Sequence, residues 1–360
     1  MGWRRLRLRE PLPPWLDRFG IRGAGGLARD LWTVLRHAPR GDRYAVGPAS
    51  AALLRPDLSL PAFAGLYPAD GIAPIFNFFD RTAGGTSYEV TVTRRRMRDW
   101  RGGRLSYDEH DGTDFVCPPG SPLCAAAPGV AVAVRDCWLR GGLTLCIDHG
   151  HGVVTQSSHL SRVLAHPGTP VRRGEVVALS GQSSLDMTAF FPLVPPHVHF
   201  MVWVRGRPID PCVAAGEDRA AGTWVHGDRP RTADGPLDGD PPPPSVDDVP
   251  VDAAAIDRAL AGCLDPALRA MVEQASSPAG RAALLEDSLH HDRPFWTAEA
   301  RETCLRPPTG PNLVRPTLPG RGPESGASGS GLPASAVEAG TSVCGFRTTR
   351  SGVCVPKPPG

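Results

Sequence analysis

Lysine is almost missing from this chain: of 39 basic residues, only Lys357 is not an arginine. We read that as a coding bias rather than a function. Tyrosine is scarce at 4 residues, no stretch approaches 18 consecutive apolar residues, and no two of the 9 cysteines stand in CxxC spacing. Each shortage excludes something. The missing apolar run rules out a membrane-spanning helix, and the missing CxxC leaves structural-zinc and dithiol redox readings weak. Charge is short on both sides: 39 Lys+Arg against 37 Asp+Glu give +2, too even for a nucleic-acid binder that works by bulk charge. The first thirty residues are arginine-rich, yet the apolar core of an ordinary signal peptide does not follow.

Glycine (41) and proline (40) are plentiful, about 22% of the 360 residues against roughly 12% in average usage. The chain divides by texture. Residues 1–79 read as an N-terminal extension, in which Leu27, Leu31, Val34 and Leu35 recur at helical spacing and predict a short amphipathic helix near 26–37. From about 80 to 215, short β-rich runs lie between glycines and prolines: Tyr88–Val92, Val130–Val134, Leu143–Ile147, Gly152–Gln156, Val176–Leu179 and His197–Val204. Helical periodicity is absent between them, so this unit is expected to be all-β. Residues 216–250 read as a Pro/Asp-rich linker, semi-rigid across Pro241–Pro244. A small helical unit follows at 251–305, where Asp265-Pro266 and Ser277-Pro278 each set a capping residue before a proline. Its apolar stripes are Ile256, Leu260, Leu264, Leu268, Met271, Val272, Leu285 and Leu289. Residues 306–360 are expected to be a disordered Pro/Gly/Ser-rich tail.

Three pieces of the β unit carry chemistry. His110-Asp111-Gly112-Thr113-Asp114 puts an imidazole and a carboxylate four apart; Ser158-His159-Leu160 holds an isolated histidine; and Pro196-His197-Val198-His199-Phe200 puts two histidines on one strand face. Two His and one Asp offer N and O ligands suited to Zn²⁺ with a fourth position left for water, the ligand count of a catalytic site. An HxH alone is weak, and an HxxxD weaker. Together, in order and near strand-like segments, they are not.

The frame around them resembles the M23 peptidases, the lysostaphin-type or LytM-type endopeptidases. The likeness is carried by HDGTDF (110–115), PPGSPLCAAAPGVAVAV (118–134), IDHGHGVVTQSSHLS (147–161), VRRGEVVALSGQ (171–182) and PHVHFMVWVRGRPIDP (196–211). The resemblance implies an antiparallel sheet with an open groove, His110, Asp114 and His199 as zinc ligands, and His159 and His197 as unliganded catalytic histidines. It implies hydrolysis of peptide bonds in peptidoglycan stems or cross-links, with peptidoglycan peptide as the partner. The competing readings are a non-catalytic module that binds peptidoglycan or activates another hydrolase, and an adhesin or scaffold acting through 251–360. Loss of one of the five residues would mark the non-catalytic branch, and none is lost.

Departures are local. Residues 182–196 are longer and more apolar than the short glycine-containing linker that walls the family's groove, which leaves the preferred peptide open. Ala178 and Met201 stand where the family has Gly and often Glu. Glu109 and Asp111 flank the first ligand and are placed to support it. His149 and His151 read as polar turn residues, and His37, His166, His226 and the His290-His291 pair as solvated. Since every candidate precedes residue 228, residues 228–360 are expected to be dispensable for the chemical step.

Cys137 and Cys146 bracket Gly141-Gly142, a dipeptide suited to a two-residue hairpin turn. Pairing 140 with 143 would set the two cysteines opposite each other and predicts a disulfide. Cys117 and Cys124 flank another short loop, and Cys212 is expected to stay unpaired. This placement favours an oxidising compartment, hence the cell envelope or secretion, although the missing signal peptide points the other way.

Overall fold

The computed structural model describes residues 110–138, 141–209 and 235–307 without a break, together with 2–5, 13–21, 54–69, 73–77 and a few isolated positions. The expected strand at 88–92 and most of the expected helix at 26–37 lie outside these residues. So do Glu109, His37, His226 and Cys212.

Ahead of the main sheet lie β1 (Trp3–Arg5), α1 (Trp15–Arg18), α2 (Pro56–Phe63) and β2 (Leu66–Pro68), with β1 and β2 forming a two-stranded pair. The main sheet is antiparallel throughout its described pairings. Its strands are β3 (Ile75–Asn77), β4 (Thr113–Val116), β5 (Pro122–Cys124), β6 (Gly129–Cys137), β7 (Gly142–Asp148), β8 (Val153–Val163), β9 (Pro170–Val171), β10 (Val176–Ser180), β11 (His197–Val204) and β12 (Arg207–Ile209). The order across it is β3-β4-β11-β8-β7-β6-β9, with β12 on β11 and β10 joining β5 to β8. Ala178 is a buried residue of β10, so its place needs no glycine.

β8 is the pivot. Residues 153–158 pair with β11, then the strand passes to β10 through Leu160, Arg162 and Val163. The alternation of strand side chains gives β8 and its neighbours two apolar faces. One, with Leu145, Leu160, Val198, Phe200 and Val202, packs under β5 and β10. The other carries Val132, Cys146, Val154, Met201 and Trp203 and is covered by helices. Met201 is a buried packing residue of that second face.

Those helices are α4 (Ala253–Ala261), α5 (Pro266–Glu273), α6 (Pro278–His291) and α7 (Ala298–Arg301), after the short α3 (Leu185–Ala189). Asp265 and Ser277 cap α5 and α6 as their sequence placement predicts, accepting from Leu268 N and Gly280 N. Ile256, Leu260, Val272, Leu285 and Leu289 point into the covered face, whereas Leu264 is exposed.

The stretches expected as extension, linker and tail contribute to this body. β3, from within 1–79, pairs with β4. Asp240, in the expected linker, takes a two-pronged contact from the buried Arg173 at 2.8 Å. Arg306 lies buried between Asp148 and Glu286, and Thr317 is bonded to the Ala126 carbonyl. An arginine or a carboxylate in mixed sequence says nothing of a partner dozens of residues away, so texture alone marks these segments as peripheral.

The Cys137–Cys146 disulfide is a correction. The β6–β7 register sets Ala133 opposite Cys146 and Cys137 opposite Gly142. Gly141 and Gly142 both take positive φ, at 66° and 62°, but Gly142 already pairs with Cys137, so the two glycines are not the two-residue loop of the expected register. That shifts the pairing and separates the two sulfurs along the ladder. Among the described residues Cys117, Cys137, Cys146, Cys263 and Cys304 are free thiols, so the Cys137–Cys146 pair gives no support to an oxidising compartment.

Candidate metal and catalytic site

Strand register brings the sequence-predicted residues together. Asp114 on β4 and Ser158 on β8 stand opposite His199 of β11, one on each side. His197 lies two residues earlier on the same face, and His110 reaches Asp114 from just before β4. His110 Nε2 is 3.2 Å from Asp114 Oδ2 and His199 Nδ1 is 2.8 Å from Asp114 Oδ1, with all three side chains buried.

Gly112 makes this closeness possible. A Cβ there would lie 2.7 Å from His199 Cε1 and 2.8 Å from the Phe200 carbonyl oxygen, well inside van der Waals contact.

His159 arrives by a different device. In a regular strand it would point to the face opposite Ser158. Instead β8 bulges here: Leu143 pairs with Leu160 while Leu145 pairs with Ser157, and His159 takes φ +62°. Such bulges re-aim side chains and are characteristic of functional sites. The ring lies 4.8 Å from that of His197 and 6.1 Å from that of His199. Nothing in Ser-His-Leu announces a bulge, so only the resemblance points to His159.

Each of the two unliganded candidates donates Nδ1–H to a main-chain carbonyl: His159 to Ser183 at 3.2 Å and His197 to Pro195 at 2.8 Å. This fixes the tautomer and leaves Nε2 as the basic atom facing the site. His197 Nε2 lies 3.6 Å from Asp114 Oδ2.

Electrostatics favour ionised carboxylates. Burial works to raise Asp114, but His110 and His197 beside it overcome this and hold its carboxyl well below the usual range. Burial works to lower His199, but Asp111 and Asp114 push it up to about 10. A strong cation preference is built into this cluster, and a proton or a metal ion meets it. Two imidazoles and a carboxylate converging in a buried place are the donor set that Zn²⁺ takes, so the residues present fit the metal.

Other histidines depart from their expected roles. His149 is buried, with Nδ1–H donated to the Pro128 carbonyl and Nε2 beside Thr155 Oγ1. His290 and His291 are half-buried and partnered rather than solvated: His291 Nε2 lies 2.6 Å from Asp111 Oδ2, and His290 Nε2 is 3.5 Å from the same oxygen. A C-terminal helix therefore reaches the edge of the site, which removes the reason to expect 228–360 to be dispensable. His166 is exposed and His151, at φ +53°, occupies a turn.

The long apolar stretch before His197 packs against the N-terminal segments. Phe191 sits edge-to-face against Trp15, Phe19 and Phe63, with centroids 5.7, 5.4 and 4.9 Å apart. Main-chain bonds from Gln182 N to the Arg18 carbonyl and from Arg55 N to the Leu193 carbonyl tie the same stretch to α1 and α2.

Residues 108–211 match the model of Peptidase family M23. This segment is an M23 domain. Peptidoglycan DD-endopeptidase ShyA of Vibrio cholerae is 36% identical over 101 residues, which is 28% of this chain and 22% of that protein. DD-carboxypeptidase/endopeptidase Mpg of Neisseria meningitidis is 31% identical over 106 residues, 29% of this chain and 23% of that one. A solved zinc-containing peptidase from Vibrio cholerae is 30% identical, with a TM-score of 0.26 and coverage of 38% and 39% of the two chains. The chain thus spans under a quarter of the length of those two curated relatives. All five candidate residues, and the glycine and bulge that place them, fall inside the M23 domain, whereas β3, α1, α2 and α4–α7 lie outside it.

Proposed function

We propose that this protein is a zinc-dependent metalloendopeptidase that hydrolyses peptide bonds in peptidoglycan stems or cross-links, acting in the cell envelope or outside the cell. The observation that carries the reading is the pairing of a buried His110–Asp114–His199 donor set with two imidazoles whose Nδ1–H groups are tied to carbonyls. The M23 match and relatives named as peptidoglycan endopeptidases support the substrate class.

His110, Asp114 and His199 would hold the zinc ion. When bound, zinc supplies Lewis acidity toward water and the scissile carbonyl. The rest falls to the chain. Nε2 of one pinned histidine takes the proton that water gives up on attacking the carbonyl carbon. The other donates a hydrogen bond to the developing oxyanion or hands a proton to the leaving amine as the C–N bond breaks. One peptide bond and one water are consumed, and a carboxylate and an amine result. The bulge at His159 and the strand at His197 hold both rings in place before substrate arrives, so orientation costs little at the moment of reaction.

The test is incubation of purified full-length protein with purified peptidoglycan, with and without a chelator, followed by analysis of released muropeptides. Cleaved cross-links that vanish with chelator and return with zinc are expected. Intact cross-links after incubation with zinc-replete, folded protein would overturn the reading in favour of a non-catalytic module.

A further inference from the structure

A second convergence of metal-ligating groups lies at the end of α6, outside the five residues above. Asp111, His290 and His291 bring a carboxylate oxygen and two imidazole nitrogens within 4.8 Å of one another. Asp111 is only 4% exposed, and neither of its oxygens is aligned with a hydrogen-bond donor. Yet three imidazole nitrogens surround it: His291 Nε2 at 2.6 Å and His290 Nε2 at 3.5 Å on Oδ2, and His199 Nε2 at 3.3 Å on Oδ1. A buried carboxylate in that position costs several kcal/mol unless a cation compensates it.

The tautomer of His291 says which kind of cation. Its Nδ1–H is donated to the Asp287 carbonyl one helical turn back, at 2.9 Å. In the neutral ring Nε2 then carries a lone pair, turned toward a carboxylate oxygen that also carries lone pairs. A proton shared across this 2.6 Å contact, as a charge-assisted hydrogen bond, is the competing occupant. A metal ion would engage His290 as well, because the lone pairs of all three groups can aim at one shared point. A ring whose other nitrogen donates to a main-chain carbonyl is also how metal-ligating histidines are held. His290 leans edge-on against Trp203, centroids 5.5 Å apart, which orients the second imidazole.

We propose that Asp111, His290 and His291 form a second metal site for a borderline divalent cation of the zinc class. It is separate from the His110–Asp114–His199 set and adjoins it through the Asp111–His199 contact. Two imidazoles and one carboxylate suit Zn²⁺, and the partial exposure of His290 leaves room for a water ligand. The ion would fasten the end of α6 to the turn that carries His110, linking the helical unit to the M23 domain. The two sites are read independently, so either can fail without the other.

The experiment is zinc titration of metal-stripped full-length protein by calorimetry, repeated with Co²⁺ to follow the visible absorption of each site. Two equivalents per chain are expected for the unaltered protein. One is expected for His199→Ala, and one for the His290→Ala, His291→Ala double variant. A His290→Gln, His291→Gln pair covers the case in which the alanine protein fails to fold. Zinc should also raise the melting temperature of His199→Ala protein, in which only the second site remains. A single equivalent in the unaltered protein, lost in His199→Ala and kept in the 290/291 variants, would overturn the second site and leave a proton-mediated ion pair. Two equivalents persisting in His199→Ala would instead count against the first donor set.

Discussion

Arg306 Nη1 lies 2.6 Å from Asp148 Oδ2, so a residue beyond α7 is ion-paired with the last residue of β7. Its Nε is 2.8 Å from Glu286 Oε1 on α6, and all three groups are buried. Burial pushes the Glu286 carboxyl up even with the guanidinium beside it. Removing the arginine would strand two buried carboxylates. Arg306→Ala should therefore destabilise the fold by about 3–5 kcal/mol, the usual cost of breaking one side of a buried pair. Denaturant unfolding measures it, and a loss below about 1 kcal/mol would count against a buried network here.

Gly112→Ala should weaken zinc binding about 10- to 100-fold, the size seen when the support of a ligand is disturbed. The added methyl meets both the His199 ring and the Phe200 carbonyl, which belongs to a strand paired with β4, so residue 112 and the ring must move apart and disturb the ligand set. Competition with a chromophoric chelator reports the affinity. Unchanged affinity in a folded variant would show that the ring has slack.

His159→Ala and His197→Ala should each leave zinc content intact while cutting turnover by about 10²–10⁴, the range for a lost acid–base group. The Nδ1–H bonds to Ser183 and Pro195 assign Nε2 as the working atom in both. Near-full activity in the double variant would defeat the mechanism even with zinc in place.

His149 predicts an acid-sensitive fold. Burial is the main cause that brings its pKa down to about 4 from an ordinary 6.5. The unfolded chain thus binds a proton below about 6.5 that the folded one refuses until about 4. Stability is complete above the upper value and falls as the pH drops through that window, by roughly 3 kcal/mol in all. His149→Gln should flatten that part of the pH–stability curve. An equally steep curve in the variant would move the sensitivity to another group.

Much of the site was legible before any coordinates. The HxxxD and HxH patterns state which atoms share a face, because strand alternation follows from local sequence, and the resemblance supplies their common centre. What hid was what depends on distant partners. Ser158-His159 looks like ordinary strand until the edge of β8 passes from β11 to β10, and that exchange is a property of three strands. The disulfide failed for the same reason: the ladder sets Cys137 opposite Gly142 and Cys146 opposite Ala133, and nothing in Cys137–Cys146 encodes that register. His290 and His291 gave no spacing signal, since their partner Asp111 lies in another unit. The helical caps were legible because a cap is local: Asp265 and Ser277 bond to amides within three residues.

The sheet's second face has its own consequence. Val132, Val154, Met201 and Trp203 are sealed by α4 and α6, and the outer edge of β4 is closed by β3. Neither cover belongs to the segment that matches the M23 model. A chain trimmed to residues 108–211 would therefore present a bare apolar face and an open strand edge, the two surfaces through which sheets stick to one another. Because the M23 segment and its coverings share one apolar core and one sheet, heating should melt them in a single transition rather than piece by piece.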